Sequence, residues 1–190
     1  MLKNIARIIV TGLLLMSAGI HAEPTGFRAY QLAQHGSLQL AVPRSWSDQM
    51  RQRPNDAPPT ILFTPEQGNG FNVQVTPLWP AKPGVAIPGA EDIKLTVSKA
   101  ADEEKSQAIE TTIPVQEIQG ASGNGYYFTI TDRAPKTNAP DEFKYMTKGM
   151  LSVGKLILAF TIFSNDGAES AVTDTMTMLK SARQVETAKR

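Results

Sequence analysis

The chain has 190 residues, with 19 basic and 18 acidic side chains, two histidines and no cysteine. The absence of cysteine excludes disulfide staples, thiol nucleophiles and thiolate-bound zinc, so packing alone must hold a core that this length can sustain. The near balance of charge offers no basic field to gather phosphates, which argues against nucleic acid as a partner.

The chain opens with "MLKNIARIIVTGLLLMSAGIHA". Lys3 and Arg7 precede an apolar run from Ile8 to Ile20, small residues lead to Ala22, and the polar "EPTG" follows. That is the three-part pattern of a secretory signal peptide. The run is short against the roughly 20 residues of a membrane span. No cysteine follows it to carry a lipid, and the alternative is an uncleaved N-terminal anchor. The sequence therefore divides into a signal peptide over 1–22, one domain over 23–183 and a frayed tail over 184–190. The expected product is exported, periplasmic in a host with two membranes, with no stable membrane insertion once the signal is removed.

"FRAYQLAQHGSLQLAV" reads as a hairpin. Leu38, Leu40 and Val42 alternate with Ser37, Gln39 and Ala41, the period of a half-buried strand. Gly36 suits the turn, and Pro43 ends the strand because it has no N–H to give a ladder. "QRPNDAPP" reads as loop, so residues 43–59 connect to the short strands "TILFT" and "FNVQVT". "PLWPAKPGVAIPG" carries four prolines and suits neither a helix nor a central strand. From Ala90 to Ala108 the pattern turns helical. Ile93, Val97, Ala100, Ala101 and Ala108 share one face, "DEEKSQ" covers the other, and Leu95 breaks the pattern. "TIPVQEIQG" and "GYYFTITD" are strands around "GASGNG"; "RAPKTNAPDE" is loop. "FKYMTKGMLSV" and "KLILAFTIFS" pair around Gly154 and Lys155, and the second is apolar enough for a strand covered on both faces. Asp166 and Glu169 have the spacing of a capping box. Ala168, Ala171, Val172, Thr175, Met176, Leu179 and Ala182 then make the stripe of a final helix.

The class is α+β: a mostly antiparallel sheet of about six or seven strands packed between two main helices. This element order, the "LAVPRSW" corner after the first hairpin and the late hairpin "MLSVGKLILAFTIF" resemble the PsbP-like superfamily. That group includes the extrinsic photosystem protein PsbP, the Ran-binding Mog proteins and exported bacterial relatives. The resemblance covers most of residues 27 to 183. It implies a sheet sandwiched between helices, and binding or assembly factors rather than enzymes. It transfers no partner, because neither a Ran-binding nor a photosystem-binding segment is present.

No catalytic, metal-ligating or cofactor-binding residue is assigned. Once His21 leaves with the signal, His35 is the one histidine for a triad, and its place beside Gly36 is that of an ordinary turn residue. Asp102 to Lys105 read as a solvated helix face, and Asp141 and Glu142 as loop acids, although paired carboxylates can hold calcium. "GNGF" and "GASGNG" lack the Lys-Ser/Thr ending of a phosphate loop and read as hairpin turns. Thr131, Asp132 and Arg133 read as a strand end with a surface pair. The function expected is a non-catalytic binding or assembly module, with another envelope protein as its partner. The alternative is a small envelope hydrolase using a carboxylate or a Ser-Lys pair that no motif locates.

The two tryptophans separate by context. Trp46 follows Pro43 at the end of a core strand, so the pair reads as a cap on the core. Trp79 lies among prolines that leave its loop little entropy to lose on binding. Leu78, Trp79, Lys82, Val85 and Ile87 form the candidate contact surface. The competing reading has Trp79 folded back onto the sheet edge. A simple meander would bring loops 43–59 and 77–89, and with them both tryptophans, to the same end of the domain.

Overall fold

The computed structural model describes residues 25–54, 57–82, 84–134, 139 and 142–186. The expected signal peptide over 1–22, Asp141 and much of the "RAPKTNAPDE" loop lie outside the described residues.

The apolar "LILAFTIFS" run becomes β9 (Leu156–Ser164), the axis of the larger sheet. It pairs antiparallel with β5 (Phe71–Leu78) on one side and β8 (Tyr145–Val153) on the other. β3 (Trp46–Arg51) and β4 (Thr60–Pro65) extend the sheet past β5. β7 (Gly123–Thr131) and β6 (Gln116–Gly120) extend it past β8, giving the order β3-β4-β5-β9-β8-β7-β6. Alternation sorts the side chains. Leu158, Phe160 and Ile162 join Ile61, Phe63, Val73 and Val75 in one core, whereas Ile157 joins Phe128 and Ile130 in the other.

Each core has its own cover. The first lies under α2 (Glu169–Lys180) and a small sheet ordered β1-β2-β10, built from Thr25–Gln31, Ser37–Pro43 and Arg183–Val185. The second lies under α1 (Ala90–Glu104), which turns Ile93, Val97 and Ala101 inward and leaves Leu95 72% exposed. The α+β class and the sheet held between two helices are those the residue pattern implied. The small sheet is fastened to the large one at its edge. The Arg28 guanidinium of β1 pairs with the Asp48 carboxylate of β3 and donates to the Trp46 carbonyl at 2.9 Å.

The structure departs from the sequence reading in several places. Residues 46–51 are a strand, not loop, and β2 belongs to the small sheet, so the simple meander fails. Trp46 pairs with Pro65, at the end of the sheet where β5 begins, whereas Trp79 follows the last residue of β5. The tryptophans therefore stand at opposite ends. As an edge strand, β3 exposes most of its side chains, which mutes its apolar signal. Pro77 lies inside β5, opposite Leu158. It is tolerated there because the β4 register stops at Val75, leaving Pro77 a neighbour on one side only.

The expected tail over 184–190 overlaps β10, whose residues Arg183–Val185 pair with Ser37–Gln39. Gly36, at φ 76°, permits this; a Cβ there would lie 2.1 Å from the Val185 carbonyl oxygen. α1 stops at Glu104, and the fully buried Ala108 makes a bridge with Asp132 instead. The β6–β7 turn is confined to Ala121 and Ser122 rather than all of "GASGNG". The expected capping box does not form, because Asp166 accepts from the Tyr145 hydroxyl at 2.6 Å and the Lys144 ammonium at 2.9 Å. Those bonds, the tyrosine's first, hold Asp166 below the usual carboxylate range. Arg133 likewise turns to the Ala108 carbonyl, at 2.7 Å.

Trp46 is 3% exposed and packs on Phe71 at 4.6 Å and Phe63 at 6.4 Å between ring centroids. Trp46→Ala should cost about 3–5 kcal/mol, read as a lower midpoint in urea denaturation with the slope unchanged. Glu110 anchors the segment after α1: its carboxylate accepts from the Thr131 amide at 2.9 Å and hydroxyl at 2.7 Å. Burial alone would raise its pKa, but these donors outweigh burial and lower it. A depressed folded pKa gives stability that is full above the ordinary glutamate value and lost as pH falls through the depressed one. Wild type should thus exceed Glu110→Gln in stability at neutral pH, and acid unfolding curves should show that advantage vanish once the carboxyl is protonated.

Candidate functional site

At the end of the domain away from Trp46, three connections meet. The β1–β2 connection is a single 3-10 turn over Ala33–His35, closed by the Leu32 amide on the Gly36 carbonyl at 2.8 Å. The β8–β9 connection is the two-residue turn Gly154-Lys155, with Gly154 at φ 61°. The third is the proline-rich loop from Trp79 to Gly89, which leads from β5 into α1. Gln184 of β10 ties the first two together. Its side-chain oxygen accepts from the Lys155 amide at 2.7 Å, and its nitrogen donates to the His35 carbonyl at 3.0 Å.

The Trp79 ring is half-buried, packs against the larger core and stacks on His35, with centroids 4.2 Å apart and planes 24° from parallel. Leu78 and Ile87 rest against the core beneath α1. Val85 remains 57% exposed and Lys82 is exposed. A groove of about 600 Å³ runs between the loop and the two turns, bordered by His35, Trp79, Lys82, Val85, Ile87 and Lys155. On the other side of the same loop a cleft of about 320 Å³ is walled by Leu78, Trp79, Val85, Met150 and Ile157. The charged groups of the larger groove are Lys82 and Lys155, both positive. The Lys155 ammonium pairs with the Glu186 carboxylate at 2.7 Å.

Four of the five residues proposed from sequence, Trp79, Lys82, Val85 and Ile87, therefore border one groove, and Leu78 lines the adjoining cleft. Pro43 and Trp46 are buried at the far end and take no part in it. Sequence reasoning missed His35, taken for a plain turn residue, and Lys155, a hairpin residue 76 positions beyond Trp79 in a chain whose partner for it, β10, was read as tail. No local signal marks either one; only the strand order brings them in.

Elsewhere several ionisable groups are engaged in ion pairs. Lys148 borders a cleft of about 220 Å³ beneath α1 and pairs with Glu104 at 3.2 Å. Asp102 pairs with Lys105 at 2.6 Å on the exposed helix face. Among the described residues no three histidine, aspartate or glutamate side chains gather as metal ligands would. No helix among them is long and apolar enough to cross a membrane.

The chain is similar to the solution structure of cyanobacterial PsbP (CyanoP) from Synechocystis sp. PCC 6803. The TM-score is 0.50 and the identity 12%, over 92% of this chain and 100% of that one. It is also similar to a crystal structure from Bacteroides thetaiotaomicron VPI-5482, with a TM-score of 0.43 and 8% identity, over 90% of this chain and 51% of that one. No family model matches the chain, and no curated protein does. The CyanoP similarity gives this chain the PsbP fold, as the element order and the "LAVPRSW" corner indicated.

Gln184→Ala removes the acceptor of the Lys155 amide. A lost hydrogen bond of about 0.5–1.5 kcal/mol corresponds to roughly two- to tenfold faster hydrogen exchange at that amide. Protection of β3 and β4, which lie beyond β5 from the β8–β9 hairpin, should not change.

Proposed function

We propose that this chain is an exported, non-catalytic binding module that meets an envelope partner through the groove around Trp79. The carrying observation is that a large aromatic ring is held in place but left half-open. His35 stacks on one side of Trp79, prolines stiffen its loop, and Val85 stands exposed beside it. A rigid aromatic anchor with an apolar neighbour is the composition of an interface hot spot, because little ordering remains to oppose association. The pattern of residues 1–22 supports export. The fold shared with CyanoP supplies the connections at the sheet end that border the groove.

The test is affinity capture from an envelope extract with immobilised mature protein. Val85→Asp alters an exposed side chain and should leave the melting temperature within a degree or two, whereas Trp79→Ala gives up some packing. Both should reduce capture of a specific partner by about tenfold or more, as expected for hot-spot residues. Trp46→Ala, assayed below its lowered melting point, should still capture it. Undiminished capture by both groove variants would place the contact elsewhere.

A further inference from the structure

We infer that the groove is built for an acidic peptide segment carrying an apolar side chain, and that Glu186 is a resident competitor for its carboxylate. This rests on the reading of the groove as a contact surface and names its occupant. Three observations carry it. First, the groove has one sign of charge in a chain of balanced charge: Lys82 and Lys155 stand on separate connections, and among the described residues no acidic side chain lines the groove. Second, much of the remaining lining is apolar, with Trp79, Pro80, Val85 and Ile87, so charge and anchor sites share one cavity of about 600 Å³. Third, a carboxylate already sits on the rim. Glu186, one residue beyond β10, pairs with Lys155, and both side chains are well exposed, at 60% and 75%. Exposed pairs of this kind hold weakly and exchange partners readily, so an incoming carboxylate can take the place of Glu186 while its apolar neighbour packs on Trp79.

The competitor makes the inference unusually easy to test, because removing an acidic residue must strengthen the binding of an acidic ligand. The probes are the hexapeptide DEFLDE, its isosteric neutral counterpart NQFLNQ, and vesicles of phosphatidylglycerol, each titrated into isotope-labelled mature protein and followed by amide shifts. DEFLDE should move the amides of residues 34–36, 79–87 and 154–155, and should bind more tightly than NQFLNQ. Glu186→Gln should tighten DEFLDE about two- to fivefold, the range of an exposed ion pair, and leave NQFLNQ unchanged. Lys82→Gln combined with Lys155→Gln should erase the preference. Equal affinity for the two peptides at the groove would overturn the acidic specificity and leave the contact surface standing. Shifts elsewhere, or a weakening by Glu186→Gln, would overturn the inference as well. Groove shifts with vesicles but not with either peptide would assign the surface to anionic lipid instead. If neither peptide moves the groove and the groove variants still capture the partner, the contact-surface reading itself fails.

Discussion

The register of β9 is the constraint on which the other elements depend. It supplies side chains to both cores, Leu158, Phe160 and Ile162 to one and Ile157 to the other, while pairing along its length with β5 and β8. A slip of one residue would exchange the two faces, so the buried apolar surface on both sides holds the register at once. The same register places the groove. With Pro77 opposite Leu158 and Leu78 opposite Ile157, β5 must end beside the Gly154-Lys155 turn, and Trp79 must emerge there.

How much of this the residues announce depends on how strongly each element is buried. β9 and the β8–β9 turn are legible because a nearly continuous apolar run that follows a Gly-containing turn suits a covered strand. α1 is legible from Ile93, Val97 and Ala101, and exposed Leu95 accounts for the break in its pattern. β3 is not, because an edge strand buries Trp46 and little else. Nor is β10, since three residues are too few for a period and their pairing rests on the missing side chain of Gly36. The capping box fails for a related reason. Local spacing favoured Asp166 as a cap, but Tyr145 and Lys144, distant in sequence, are better donors to it.

The groove repeats that lesson. Its proline-rich wall could be read directly, since Trp79 with Val85 and Ile87 in a stiff loop is a compositional signal. Its other walls could not, because His35 and Lys155 become neighbours of Trp79 only through a strand order that no short motif encodes. Gln184 completes the arrangement. Two hydrogen bonds from one side chain hold two turns that are otherwise far apart along the chain. The two-sheet construction is secured at the opposite end by a comparable device, the Arg28 guanidinium shared between Asp48 and the Trp46 carbonyl.

The small sheet also gives the domain a direction. β1 starts at Thr25, opposite Pro43 near the Trp46 corner, and runs toward the His35 turn, whereas β10 finishes at Val185 beside Ser37 and Gly36. The polypeptide thus enters at one pole and leaves at the other, at the mouth of the groove. Anything joined ahead of Thr25 holds the groove a full strand length from its point of attachment, facing outward like the head of a pin. Glu186, one residue past the end of β10, stands at the groove itself, on the Lys155 ammonium.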